Sequence, residues 1–360
     1  MTSGAVLVVV VAGVGTWAFQ GPLATKDQYC WGAWEQDSGP DMLGDAAFSG
    51  DDSRSRTSEE TPPASGKPTG SCILTVRSSH VYSGDELVQN TSVTVKYGRA
   101  PKDADARLTW LNNHLGDGAM PLPDGLPGAV DGTRGLLVLP KRCDTRDGRP
   151  TAVTLDAQAR QEPDAVVKRS PDLGGSRAVT ELLVKAANKG MEKAGCASAE
   201  PLRTTSPVLT LPEKSETFYS DPACRVGGLD LDLDRESERS TAYQVGAVTD
   251  DMQSCSVRIG RADVEYLDAL MVAHPRFDAL LKDVTGDKAP APGWRGKGVL
   301  KSGHQIVRAR CAGRPTTFLM LGAPAHAAKR HFAAFTTAVA QRLGCAAVAP
   351  AASAGTEGER

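Results

Sequence analysis

Hydrophobic positions along this chain follow three rhythms, and each predicts a different element. The first is an unbroken run. Residues 4–19 (GAVLVVVVAGVGTWAF) are almost wholly apolar, and residues 1–25 carry no charged side chain. As a helix the run spans about 24 Å, short of the roughly 30 Å hydrocarbon core, and extension to Ala24 closes the gap. Trp17 then sits where an interfacial aromatic would. A buried core helix fits poorly, because the run has no polar face. A cleaved signal peptide is the competing reading, but a basic leading segment is missing and only Gly15-Thr16-Trp17-Ala18 offers a small-residue site. No Cys directly follows the run, so nothing marks a lipid-modified terminus. Residues 1–25 are therefore expected to be a transmembrane anchor, or alternatively a secretion signal, with the bulk of the chain outside the cell membrane.

The second rhythm is short β-rich runs: SCILTV at 71–76, LLVLP at 136–140, TAVTLDA at 151–157, SCSVRI at 254–259, QIVRAR at 305–310 and TTFLMLGA at 316–323. The third has apolar residues three and four apart. AVTELLVKAANKGMEKAG places Val179, Leu182, Leu183, Ala186, Gly190 and Ala194 on one helical face, and AKRHFAAFTTAVAQRLG does so with Phe332, Phe335, Val339 and Leu343. Gly195 and Gly344 stand where a left-handed cap would end each helix. Residues 264–284 read as helical but broken by Pro275.

The cysteines tie these elements into a repeat. Cys30, Cys72, Cys143, Cys196, Cys224, Cys255, Cys311 and Cys345 all follow the apolar run, and an even number beyond an export signal reads as a disulfide framework. A structural zinc site would need tight C-x-x-C pairs, whereas the closest cysteines here, Cys196 and Cys224, are 28 residues apart. Cys72 and Cys255 each open a strand, and Cys196 and Cys345 each end a helix. Cys143 and Cys311 each end a strand and are followed by Gly-Arg-Pro-Thr and a second strand. Order and context therefore occur twice. The duplication predicts that pairing stays within each copy, as Cys30–Cys72, Cys143–Cys196, Cys224–Cys255 and Cys311–Cys345. Loops of this length would let each bond contribute about 3–4 kcal/mol by restricting the unfolded chain.

The predicted fold class is α+β: two tandem copies of a small antiparallel sheet with a packed C-terminal helix, each with two disulfides, after the anchor. Residues 26–200 form the first copy, with a polar, acidic loop at about 35–70, and 201–223 form a proline-bearing linker with a short strand at PVLTL. Residues 224–346 form the second copy, and 347–360 an Ala-rich tail. At 360 residues the chain is long for one domain and comfortable for two. Aromatic residues make up only 5%, so the cores must come from Val, Leu and Ala. A net charge of −2 without a long basic block excludes the electrostatic footprint of a nucleic-acid binder.

The Cys30-Trp31-Gly32-Ala33 start and the strand-Cys…Gly-Arg-Pro-Thr unit resemble uncharacterised cell-envelope proteins of actinobacteria. The resemblance spans most of both copies, and its motifs are structural and imply no activity. The second copy departs from it at Arg225, which stands in place of Trp.

Candidate chemistry is thin. Asp230-Leu231-Asp232-Leu233-Asp234 invites a calcium reading, but an EF-hand needs Gly and Glu where this chain has Arg235 and Thr241, and the alternation fits a strand with a solvated acidic face. His326 and His331 are spaced five apart with Lys329 and Arg330 beside them, which reads as a solvated basic face and not a metal pair. His80, His114, His274 and His304 are isolated in sequence, and Trp31 and Trp34 read as packing against the first disulfide. No Gly-x-Ser-x-Gly elbow, phosphate loop or Ser-x-x-Lys occurs. The chain is expected to be a non-enzymatic module without cofactor or metal. It would contact the membrane through its N-terminal segment and bind an envelope protein, a peptide or a wall component. The alternative is an extracytoplasmic hydrolase with a non-contiguous site.

Overall fold

A computed structural model describes residues 27–36, 53–82, 85–116, 119–162, 173–209, 222–227, 229, 231, 233, 241–246, 248–259, 264–323 and 328–350. The apolar segment 1–25 lies outside them. Among the described residues no helix is long and apolar enough to cross a membrane.

In the first copy the elements are β1 (Gln28–Tyr29), β2 (Trp34–Glu35), β3 (Ser53–Thr61), β4 (Gly70–Tyr82), β5 (Asp85–Arg99), α1 (Ala104–Leu115), β6 (Met120–Pro121), β7 (Gly128–Val130), β8 (Arg134–Val138), β9 (Thr151–Glu162) and α2 (Gly175–Ala194). In the second they are β10 (Thr241–Val245), β11 (Met252–Ile259), β12 (Val264–Val272), α3 (Pro275–Thr285), β13 (Lys297–Lys301), β14 (His304–Cys311), β15 (Arg314–Leu321) and α4 (Ala328–Arg342). The sheets are antiparallel, ordered β3-β4-β5-β9-β8-β7-β6 and β10-β11-β12-β15-β14-β13, beside a β1-β2 ribbon. Apart from β6 at one edge, the two orders are the same, strand for strand. The duplication is thus a duplication of topology, with α1 matching α3 and α2 matching α4.

The four disulfides join Cys30–Cys72, Cys143–Cys196, Cys224–Cys255 and Cys311–Cys345, with Cα separations of 5.2, 5.3, 5.5 and 4.7 Å. Each lies within one copy, as the repeated order predicts. The leading cysteine of each copy sits on the same unusual backbone. Cys30 and Trp31 have φ of 52° and 65°, and Cys224 and Arg225 have 58° and 54°. Two consecutive left-handed residues without glycine are uncommon, so the entry turn repeats even where Trp is exchanged for Arg.

Alternate residues of each strand point to opposite faces, and both faces of both sheets are covered where the copies meet. Leu137 and Val153 point to α2, where they meet Val179, Leu182, Leu183 and Ala186. Val307, Phe318 and Met320 point to Phe332, Phe335 and Val339 of α4. The intervening residues share a third core: Leu136, Val138 and Ala152 with Leu108, Leu111 and Leu115 of α1, and Leu270, Ile306 and Leu319 with Phe277, Leu280 and Leu281 of α3. The layers run α2, first sheet, α1 with α3, second sheet, α4. A hydrophobic core thus crosses between the copies although no disulfide does. Polar contacts line the same seam. Arg107 pairs with Asp283 at 3.2 Å, Arg276 pairs with Asp144, and Ser254 donates to the Ala119 carbonyl at 3.1 Å.

Several boundaries differ from those expected. Residues 53–61 are an edge strand rather than loop. Their pattern is polar because the inward side chains engage polar partners: Arg56 lies 5.2 Å over the Tyr29 ring, and Glu60 accepts from the Trp31 N–H at 2.8 Å. Residues 264–284 are a strand followed by a helix, and Pro275 begins that helix, where its missing N–H costs nothing. Cys143 lies in a short 3₁₀ turn, Lys141–Cys143, beyond the end of β8. The linker carries no strand at 207–209, but Leu202 and Val208 pack against the first core. The tail is seated as far as residue 350: Val348 and Ala349 are buried, and the Val348 carbonyl accepts from the Arg295 N–H at 2.9 Å. Of the 230–234 segment only Leu231 and Leu233 are described, and both join the second core.

Candidate functional site

A cleft of about 730 Å³ opens over the Cys143–Cys196 disulfide. Its base is set by the way α2 ends. Gly195, with φ of 73°, donates to the Glu192 carbonyl at 3.1 Å, and the Cys196 N–H donates to the Met191 carbonyl at 2.9 Å. This paired closure satisfies the last helical carbonyls and turns the chain so that Cys196 faces the hairpin. Thr151 donates to the Cys143 carbonyl at 2.6 Å and fixes the other half-cystine. Below them the Tyr97 hydroxyl lies 3.3 Å from the Cys196 sulfur, and burial pushes its pKa up to about 12.

Two loops form the walls: residues 65–69 between β3 and β4, and residues 142–147 after β8. They bring Lys67, Arg142 and Arg146 together with Arg99 from the end of β5, and all four are exposed. The Arg142 Nε donates to the Cys196 carbonyl at 2.9 Å, leaving the far edge of its guanidinium open to the cleft. Lys67, Arg99, Arg142 and Arg146 have no carboxylate partner among the described residues. The two carboxylates of the lining are committed elsewhere. Asp144 receives Arg276 across the seam, with an N–O distance of 2.9 Å. Asp147 is held by Arg149, Nε to Oδ2 at 2.8 Å, and also accepts from Thr145. Those bonds, Arg149 first, hold its carboxyl well below the usual carboxylate range. The cleft therefore presents uncompensated positive charge on a chain whose net charge is −2.

The second copy supplies an internal comparison. Where Asp144 to Asp147 separate Cys143 from Gly148, Ala312 alone separates Cys311 from Gly313, and the connection is a tight hairpin turn pairing Cys311 with Arg314. The turn between β10 and β11, counterpart of the Lys67 turn, carries Asp250 and Asp251. They take Arg342 and Arg314 into ion pairs at 3.4 and 2.5 Å. Arg314 and Arg342 at this end of the second copy are thus neutralised and Arg310 alone is left without a carboxylate partner among the described residues, whereas four cations of the first copy are open.

Of the residues singled out from the sequence, the eight cysteines are brought together in four pairs, one of them forming the base of the cleft. Trp31 and Trp34 are buried against the first disulfide. Their indole N–H groups donate to the Ser71 and Leu182 carbonyls at 3.2 and 3.0 Å. His326 lies outside the described residues. His331 is fully buried, 3.5 Å from the Tyr266 hydroxyl, and is not on a solvated basic face as expected; Lys329 and Arg330 are exposed. No cluster of three or more metal-ligating side chains occurs among the described residues. Ser65, Thr69 and Thr145 line the cleft, but no described lining residue is a histidine that could serve one of them as base. The sequence reading missed Lys67, Arg99, Arg142 and Arg146, although the longer KRCDTRDGRPT beside ARCAGRPT, with four basic residues against two, carried a signal for the loop that holds Arg142 and Arg146.

Comparison of the chain with family models, with curated proteins and with solved structures finds no match.

Proposed function

We propose that this chain is a binding module of the cell envelope, held at the membrane by its N-terminal segment and taking its ligand in the first-copy cleft. Four disulfides point to an oxidising, extracytoplasmic compartment for the folded copies. The apolar run at 4–19 and the resemblance to actinobacterial envelope proteins support attachment there. The observation that carries the reading is the divergence between the copies. One disulfide-tied loop is elaborated into a charged cleft, and its counterpart is trimmed to a turn with Arg314 and Arg342 neutralised. An envelope protein, peptide or wall component would bind there.

Sedimentation of the purified, disulfide-bonded chain with isolated cell-envelope material tests this. The wild-type chain is expected in the pellet, and Arg142→Glu/Arg146→Glu in the supernatant. Equal pelleting of both would remove the cleft from the binding site, and no pelleting of either would remove the binding reading itself.

A further inference from the structure

Resting on that reading of the cleft as a binding site, we propose that its ligand is a polyanion, presenting two or more phosphate or carboxylate groups at once. Lys67, Arg99, Arg142 and Arg146 ring the opening, and Asp144 and Asp147 are already occupied by Arg276 and Arg149. Three of the four cations are arginines, whose planar forks match the two oxygens of a phosphate or carboxylate. At about 730 Å³ the cleft has the capacity of a site for a sizeable ligand rather than a single small anion. Four of its lining side chains are cations without a carboxylate partner among the described residues, and none of the exposed ones is aromatic. Tyr97, its one aromatic, is buried. The carboxyl end of α2 also points here, which would disfavour an anion. Its last carbonyls are met by Gly195 and Cys196 N–H groups, and Arg142 meets the Cys196 carbonyl, so that opposition is reduced. The second copy forms no such cluster among the described residues, since Asp250 and Asp251 occupy Arg342 and Arg314. One polyanion site per chain is therefore expected.

Titration of the full chain with tripolyphosphate, hexaglutamate and inorganic phosphate, followed by calorimetry, tests the assignment. One or both of the multivalent probes is expected to bind at least about tenfold more tightly than inorganic phosphate, and more weakly as salt is raised. The probe that binds identifies phosphate or carboxylate as the recognised group. Arg99→Gln/Arg146→Gln is expected to weaken binding by about tenfold or more. Both side chains are exposed and lack a carboxylate partner among the described residues, so the variant keeps the wild-type melting temperature. Arg177→Gln, on the outer face of α2 and paired with Glu181, leaves binding unchanged. Binding that survives Arg99→Gln/Arg146→Gln overturns the proposal. So does failure of both multivalent probes, and if the chain still pellets with envelope material, that failure sinks the polyanion assignment while the binding-module reading stands.

Discussion

Gly190 shows how close the packing of α2 on the first sheet is. It lies on the helical face that crosses Tyr97, and a Cβ there would stand 2.8 Å from Cε2 of that ring, well inside van der Waals contact. Tyr97 is itself buried beneath the helix, with its hydroxyl against the Cys196 sulfur. Substitution by alanine would gain about 1 kcal/mol of helix propensity. Overpacking a core site costs typically about 1–3 kcal/mol, which at so close an approach outweighs that gain. Gly190→Ala is therefore expected to lower the melting temperature in spite of the better helix former, and a thermal melt of the oxidised protein measures it. Because Tyr97 sits under Cys196, the same variant should also weaken ligand binding in the cleft. The sequence placed Gly190 on the apolar face of the helix, but only the register of α2 over β5 shows why no side chain is tolerated there.

At the scale of elements, α3 is the clearest case of what the sequence could and could not convey. Its apolar residues stand at helical spacing, yet the run through β12 blurs the boundary. VEYLDALMV is buried on both faces over most of its length and so loses the alternation that marks a half-exposed strand. Pro275 then reads as a break, whereas His274 caps the helix by accepting from the Arg276 N–H at 3.1 Å and Pro275 fills the first turn. The strand β3 escapes a sequence reading for the opposite reason, because its inward positions are polar. The disulfide pairing and the two glycine-terminated helices were legible, since cysteine order, glycine position and periodicity are local signals. What α3 packs against is a property of the assembled chain. Leu280 is fully buried in the core shared by the copies, so Leu280→Ala should cost about 2–5 kcal/mol. Since that core joins both sheets, denaturant unfolding should remain a single transition with a lowered midpoint. Two separated transitions would mean that the copies unfold independently.

On the whole-molecule scale, the seam between the copies gathers three histidines that share one tendency. His114 on α1, His274 at the start of α3 and His304 on β14 all have pKa values lowered from the usual histidine value, with burial the largest cause in each. The charged groups around them differ. His114 faces Asp131, Arg134 and Asp156, and its ring lies 2.8 Å from the Trp110 carbonyl; His274 faces Asp251 and Arg276; His304 faces Lys301 and Asp105. The carboxylates oppose the shift in every case and do not reverse it. A histidine whose folded pKa lies below its unfolded value favours the neutral ring in the native state. Its contribution is then fully present above the unfolded value of about 6.5, and it is lost as pH falls from there towards the folded value. His274 adds a direct reason, because protonation of the ring nitrogen that accepts from the Arg276 N–H removes the cap of α3. The melting temperature is therefore expected to fall between about pH 7 and pH 5, above the range in which ordinary carboxylates titrate. In His114→Gln/His274→Asn/His304→Gln that decline should flatten, with asparagine preserving the helix cap. An equally steep decline in this variant would place the acid-sensitive groups away from the seam. Since both sheets meet the same shared core, loosening at the seam should lower the stability of the two copies together.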